Sequence, residues 1–357
     1  MKQLSVGDDV PAASDRAATI SDVAEYARVS VPTVSRVLTG AARVSPELTR
    51  RVTDAIQALD YRPSATARAL VRGGATTIAV LSSDTTIYGY SSTIRGIEQA
   101  ARTAGYSVTI AVIDDEGSSS ARAAIDAALR LPLAGVIVLK FDPAGVAALP
   151  HLPEHLPVVV ASGELDGLHP QAALDEVAGG RAITEHLLQL GHRTVHHVTV
   201  PPSRSGTEDG RTTGWRDALR ESGAVVPAVV AGTWEAASGV AIGAELAQAP
   251  DITAIFCGND ELAMGVIAGL TDSGRTVPGD VSVVGFDDHP LSSIWRPSIT
   301  TVSQDFDDLG QRAFSLLEQR IAGDRTPTLS MTIPPTVLRG SSGPPPQSRH
   351  AEGVRGA

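Results

Sequence analysis

"VSVPTVSRVL", residues 29–38, carries a single charge, Arg36, and interleaves small hydroxyl side chains with β-branched apolar ones. Ser30 is a residue type that caps helix N-termini, and Pro32 falls in the first turn, where a missing N–H does no harm. On a helix starting there, Val34, Val37 and Leu38 face inward, while Val31, Pro32, Thr33, Ser35 and Arg36 point outward. Upstream, Thr19 with Asp22 three residues on forms a capping pair ahead of "DVAEYAR". Downstream, Ser45-Pro46-Glu47 is a third start signal, ahead of "LTRRVTDAIQAL", whose Leu48, Val52, Ile56 and Leu59 share one face. Three short helices so close together predict a minimal bundle, and the tight "ARVS" link makes the first two a helix-turn-helix.

Charge is unevenly placed. The 357-residue chain has a formal net charge of −11, yet residues 16–75 hold nine Arg against five acids, leaving +4 there and −15 elsewhere. A basic head on an acidic body is the asymmetry expected when one end meets a polyanion. The N-terminal turn of the 29–38 helix would enter a DNA major groove, with Arg36 gripping guanine bidentately. Val31 and Pro32 would read by apolar contact, and Thr19, Thr33, Arg43 and Ser45 would anchor phosphates. The alternative is that the hydroxyls only cap helices and Arg36 is a solvated charge.

A single cysteine, Cys257, excludes a disulfide framework and fits a reducing compartment. The leader, residues 1–17, is polar, lacks an apolar signal core and is expected to be disordered. No stretch of the chain approaches a membrane-spanning length, so a cytoplasmic protein with no membrane partner is expected.

After the head, expected over 18–61, comes "YRPSATARALVRGG", broken by Pro63 and closed by Gly73-Gly74. Residues 62–75 read as a linker holding a helix too short to persist alone. From Thr76 the texture alternates. "TIAVLSS", "SVTIAVID", "GVIVLK", "PVVVASG", "TVHHVTV", "TAIFCGN" and "VSVVGFDD" are strand-like, separated by helical stretches such as "STIRGIEQAARTAG" and "GRAITEHLLQLGH". That alternation predicts parallel sheets covered by helices on both faces, and the length suits two lobes across a cleft. The Pro/Gly/Ser-rich end, 341–357, is expected to be unstructured.

"ISDVAEYARVSVPTVSRVLTG…RVSPELTRRVTDAIQALDYRPSATARAL" resembles the DNA-binding head of the lactose-repressor (LacI/GalR) family. The likeness continues through "HLLQLGH", "GRTTGW", "CGNDELAMGV", "VPGDVSVVGFDD" and "RPSITTVSQDFDDLG", ending near Arg339. It implies an all-α helix-turn-helix head and a periplasmic-binding-protein-like α/β effector domain of two doubly wound lobes. The lobes would comprise 76–174 with 304–328 and 175–303 with 329–340, joined by three crossing strands. It further implies a homodimer on a pseudo-palindromic operator, each linker helix entering the minor groove with Ala67 permitting close approach and Leu70 wedging into a base step. Thr39 departs from the family's usual Asn.

Ligands of doubly wound sheets sit at strand C-terminal ends. Several such ends here carry polar groups: Ser83, Ser162, Asn259 and Asp287. Carboxylate, guanidinium and amide groups suit a polyol, and a Trp face suits the C–H side of a pyranose. By resemblance, Arg211, Asn259, Asp287 and Gln304 fall on ligand-contacting positions, and Ser83, Ser162, Leu174 and Trp234 line the pocket. The "GTWEAASG" context and "QDF" look like the lactose- and β-glucoside-responsive branch, whereas a purine would want an aromatic platform where Leu174 stands. A small sugar, galactoside or glucoside, is therefore the expected effector, relieving repression of sugar-utilisation genes. No cofactor and no metal are expected. No phosphate loop, nucleophile elbow or paired Cys motif speaks for an enzyme. Adjacent His196 and His197 on a strand face opposite ways, a poor metal site. A transported-sugar-binding protein would not carry the head.

Overall fold

The computed structural model describes residues 18–38, 44–61, 75–113, 118–165, 167–201, 208–326 and 328–346. The chain divides into two compact units, 1–76 and 77–357.

The first unit holds α1 (Ile20–Tyr26), α2 (Val31–Leu38) and α3 (Pro46–Ala58). Each begins where a hydroxyl takes up an orphan amide. Thr19 Oγ1 accepts from the Asp22 amide at 3.3 Å, and Asp22 Oδ2 accepts from the Thr19 amide at 2.7 Å, closing a capping box. Ser30 Oγ accepts from Thr33 N at 3.4 Å, and Ser45 Oγ from Leu48 N at 3.3 Å. Val23, Ala24, Ala27, Val34, Val52, Ala55 and Tyr61 form the core. Arg28 turns the chain between α1 and α2 at φ +50°, a left-handed conformation that favours glycine. Arg51 from α3 steadies that turn, its Nη2 donating to the carbonyls of Ala27 at 2.5 Å and Arg28 at 3.1 Å.

The second unit contains two parallel sheets. The first is built from β1 (Thr77–Ser82), β2 (Ser107–Val112), β3 (Leu133–Leu139), β4 (Val158–Ser162), β5 (Gln171–Leu174) and β11 (Leu329–Thr332), in the order β11-β5-β4-β3-β1-β2. The second comprises β6 (His196–Thr199), β7 (Val230–Ala231), β8 (Ala254–Cys257) and β9 (Ser282–Val284), in the order β7-β6-β8-β9. Every β1 residue is buried, as expected of a strand covered on both faces. On one face of the first sheet, α4 (Tyr88–Thr103) and α11 (Phe306–Ile321) supply Tyr90, Ile97, Phe314 and Leu317. On the other, α5 (Ser118–Ala128) and α6 (Pro143–Ala148) supply Ala121, Ile125 and Ala148. The second sheet is clad by α7 (Glu176–Gln189) with α8 (Gly210–Glu221) and by α9 (Ala236–Leu246) with α10 (Asp260–Asp272).

Between the sheets the chain passes near Asp175, Gln304 and Pro334. These passes are laced: Asp175 N donates to Thr332 O, and Ser303 N to Pro335 O, both at 2.8 Å. β10 (Thr301–Val302) pairs antiparallel with β12 (Thr336–Val337) beside them.

Two expectations need correction. Residues 329–340 do not all lie with the second lobe: β11 runs parallel to β5 in the first sheet, and the last pass follows it. "LSMT" alternates too weakly to announce an edge strand. Nor is the stretch after 340 all unstructured tail. Ser341 is fully buried, exchanging hydrogen bonds with Val283, and Gly343 O accepts from Ser282 Oγ at 2.8 Å. Composition flagged disorder; specific polar contacts hold residues 341–343. Among the described residues no helix is long and apolar enough to cross a membrane.

Candidate functional site

The C-terminal ends of both sheets converge on one cavity. From the first lobe come Tyr90 on α4, Lys140 and Phe141 after β3, Ser162 at the end of β4 with Gly163 and Glu164 after it, Leu174 and Phe306. From the second come Glu176, Asp209, Arg211, Trp234 and Asp287, with Gln304 on the middle pass.

Arg211 organises the polar wall. Its Nε and Nη2 both donate to Glu176 Oε1, at 3.3 and 2.9 Å, its Nη1 donates to Gly258 O, and Nη2 stands 3.6 Å from Asp287 Oδ1. The guanidinium lies 4.7 Å from the Phe286 ring centre and 5.8 Å from that of Trp234. Burial works against its charge, and the Glu176, Asp287 and Asp209 carboxylates outweigh that penalty, so its pKa is raised. Burial pushes Glu176 and Asp287 upward, with Arg211 opposing in each case. Gln304 Nε2 donates to Asp287 Oδ1 at 2.7 Å, while its Oε1 is buried without a protein partner. Asp287 adopts φ +103°, a strained conformation for a side-chain-bearing residue, and its amide donates to Val302 O at 2.8 Å.

The Glu176–Arg211 pair depends on how tightly α7 and α8 cross. A Cβ on Gly214 would stand 2.1 Å from Val177 O, so only glycine lets the two helices approach this closely.

Of the eight positions expected to bind ligand, Ser162, Leu174, Arg211, Trp234, Asp287 and Gln304 lie in this wall; Ser83 and Asn259 do not. Ser83 Oγ bonds Tyr90 OH and the Asp142 carboxylate. Asn259 caps α10 through Leu262 N at 2.8 Å and donates to Trp234 O at 3.1 Å, so both stand behind groups that line the cavity. The Ser162 hydroxyl is already engaged, donating to Lys140 O and accepting from Glu164 N.

Sequence reasoning missed Glu176 and the aromatic trio Tyr90, Phe141 and Phe306. Glu176 was findable, since it follows β5 as directly as Ser162 ends β4. The trio corrects a premise about the effector: Leu174 is aliphatic, but the first lobe brings aromatic rings to the cavity from α4, the β3 end and α11.

Trp215 is core, fully buried with Nε1 donating to Val195 O at 2.8 Å. His197 stacks on Phe256 at 4.5 Å and contacts Phe256 O and Thr212 Oγ1; burial pushes its pKa down to about 4. No group of acidic, His and Cys side chains among the described residues could hold a metal ion.

In the head, Val31, Pro32 and Arg36 are exposed, Thr33 and Ser35 are half-buried, and Val34 is fully buried. Thr19 and Ser45 are both exposed caps. Arg43, Ala67 and Leu70 lie outside the described residues, as does Thr39.

Residues 19–64 match the family of bacterial regulatory proteins, lacI family, and residues 184–342 match a periplasmic binding protein-like domain. The HTH-type transcriptional repressor PurR of Klebsiella pneumoniae (strain 342) is 31% identical over 327 residues, covering 90% of this chain and 95% of that protein. Catabolite control protein A of Priestia megaterium is 33% identical over 307 residues, covering 84% and 91%. The Lac repressor dimer bound to operator and the anti-inducer ONPF is similar with a TM-score of 0.82 at 28% identity, covering 92% of this chain and all of that one. The complex of transcriptional regulator CelR with cellobiose has a TM-score of 0.66 at 27% identity, covering 91% of this chain.

A capped helix-turn-helix bundle and a two-lobed α/β unit with a polar, aromatic-walled cleft define a DNA-binding transcriptional regulator. The chain belongs to the LacI family.

Proposed function

We propose that this regulator is a homodimeric repressor whose grip on a pseudo-palindromic operator is released by a small sugar, a galactoside or glucoside, in the interlobe cleft. The observation that carries this reading is the pairing of Trp234 with Arg211, Asp287 and Gln304 in one wall. An aromatic face takes the C–H side of a pyranose while carboxylate and amide oxygens accept from its hydroxyls. CelR in complex with cellobiose, and a LacI-family regulator from Enterococcus faecium with bound ribose, support it by similarity. On the DNA side, Arg36, Ser35 and the exposed first turn of α2 face the major groove, Thr19, Thr33, Arg43 and Ser45 hold phosphates, and Ala67 and Leu70 enter the minor groove.

A nucleobase is the second reading, favoured by the aromatic rings of Tyr90, Phe141 and Phe306 and by the similarity to proteins named PurR. Thermal shift of the full chain against mono- and disaccharides alongside purine bases separates the two. A ligand at 100 times its dissociation constant stabilises by about 2.7 kcal/mol. The sugar reading expects a saccharide to raise the melting temperature and to weaken retention of a palindromic duplex. A response to bases alone would overturn it.

A further inference from the structure

The cavity's ionisable lining carries an excess of carboxylates. It consists of Lys140, Glu164, Glu176, Asp209, Arg211 and Asp287, two cations against four carboxylates, a formal charge of −2. The cationic side is already committed. Three of Arg211's nitrogens donate to protein acceptors, Glu176 Oε1 and Gly258 O, and Asp287 stands beside it. Lys140 is buried and engaged within the protein.

The uncommitted capacity is of the opposite kind. Both Arg211 contacts to Glu176 go to Oε1, leaving Oε2 outside the pair. Gln304 is 3% exposed, and its amide orientation is fixed because Asp287 Oδ1 can only accept, so Nε2 must face it and Oε1 must face away. That Oε1 has no protein partner. A buried acceptor left unpaired is costly, and a ligand O–H or N–H removes the cost.

We infer that Glu176 is a specificity-determining residue that accepts a hydrogen bond from the effector, and that together with the orphan Gln304 oxygen it restricts the site to sugars bearing no phosphate or carboxylate. The inference rests on the sugar reading and narrows it. An anionic sugar would bring its charge against an excess of carboxylates, with all three Arg211 nitrogens already donating to protein acceptors. A neutral or amine-bearing one supplies the donors that Gln304 and Glu176 lack. Glu176→Gln removes one negative charge, keeps the side-chain shape and releases Arg211 donors, so it should relax the discrimination.

The test is calorimetric titration of the full chain, wild type and E176Q, with neutral saccharides and with the phosphorylated and uronic-acid counterparts of the same sugars. For the wild type, a neutral sugar should bind on the order of tenfold or more tighter than its anionic counterpart. In E176Q that ratio should fall several-fold, an outcome that simple loss of fold would not produce. Should E176Q not fold, the wild-type ratio alone decides. An anionic sugar binding the wild type as tightly as its neutral parent overturns the inference and leaves the sugar reading standing. Silence towards both sets removes the sugar reading and the inference with it.

Discussion

Removing Arg211 is the sharpest probe of the site. Arg211→Met keeps most of the aliphatic volume over Phe286 and deletes the charge. Glu176 and Asp287, whose side chains are 14% and 7% exposed, would then face each other with no cation between them. Breaking a buried pair by removing one partner costs about 3–5 kcal/mol, because the remaining charge is uncompensated. A second route gives a similar figure. If Glu176 escapes by taking up a proton, the cost at pH 7 is at most about 1.4 kcal/mol for each pH unit above the ordinary value near 4.3, a ceiling of roughly 3.7 kcal/mol that burial's upward push on Glu176 in the intact protein lowers. The second route caps the first and adds a sign: the penalty should shrink to about 1 kcal/mol or less near pH 5, where protonation is nearly free. The double variant Arg211→Met/Glu176→Gln should recover most of the loss. Urea denaturation followed by tryptophan fluorescence measures this cleanly, since Trp215, Trp234 and Trp295 all lie in the effector unit and none in the head. A loss below about 1 kcal/mol at neutral pH, or one that does not change on acidification, would refute the claim that this pair holds the cavity wall.

Two further outcomes are expected. His197, held near 4 in the folded chain against 6.5 in the unfolded one, is neutral when buried; it contributes stability that is complete above 6.5 and is lost as pH falls towards 4. Roughly 3 kcal/mol is at stake, and His197→Phe should flatten that part of the urea-midpoint profile; parallel profiles for both proteins would rule it out. Arg28→Gly relieves the φ of +50° while keeping the carbonyl that Arg51 grips, so amides of α1 to α3 should gain about 0.5–1 kcal/mol of hydrogen-exchange protection in the full chain. Unchanged or reduced protection would contradict it.

The parts of the fold that were readable beforehand are those written in local chemistry. Thr19, Ser30 and Ser45 cap the three head helices where their residue types demand it, and Val34 is buried as its spacing required. Apolar runs such as "TIAVLSS" announced the buried parallel strands. What could not be read depends on partners far along the chain. β11 is a strand only because β5 offers it an edge, and Ser341 is ordered only because Val283 and Thr300 meet it. Within the cleft, the strand-end rule reaches Ser162 and Asp287, while the acidic pair after β5 reads equally well as the N-terminal cap and first turn of α7. Glu176 acquires meaning only from Arg211, 35 residues away. The rings of Phe141 and Phe306 likewise meet the cavity from loci that no spacing connects.

Of the three passes near Asp175, Gln304 and Pro334, the last is stitched to each of the other two, so together they act as a laminated spring rather than as three threads. Bending the last layer pulls on both of the others, so a change in the angle between the lobes loads all three passes together. A substitution that softens a single layer is buffered by its neighbours, whereas one that unlaces them, at Asp175–Thr332 or Ser303–Pro335, would free motions along directions the intact stack forbids.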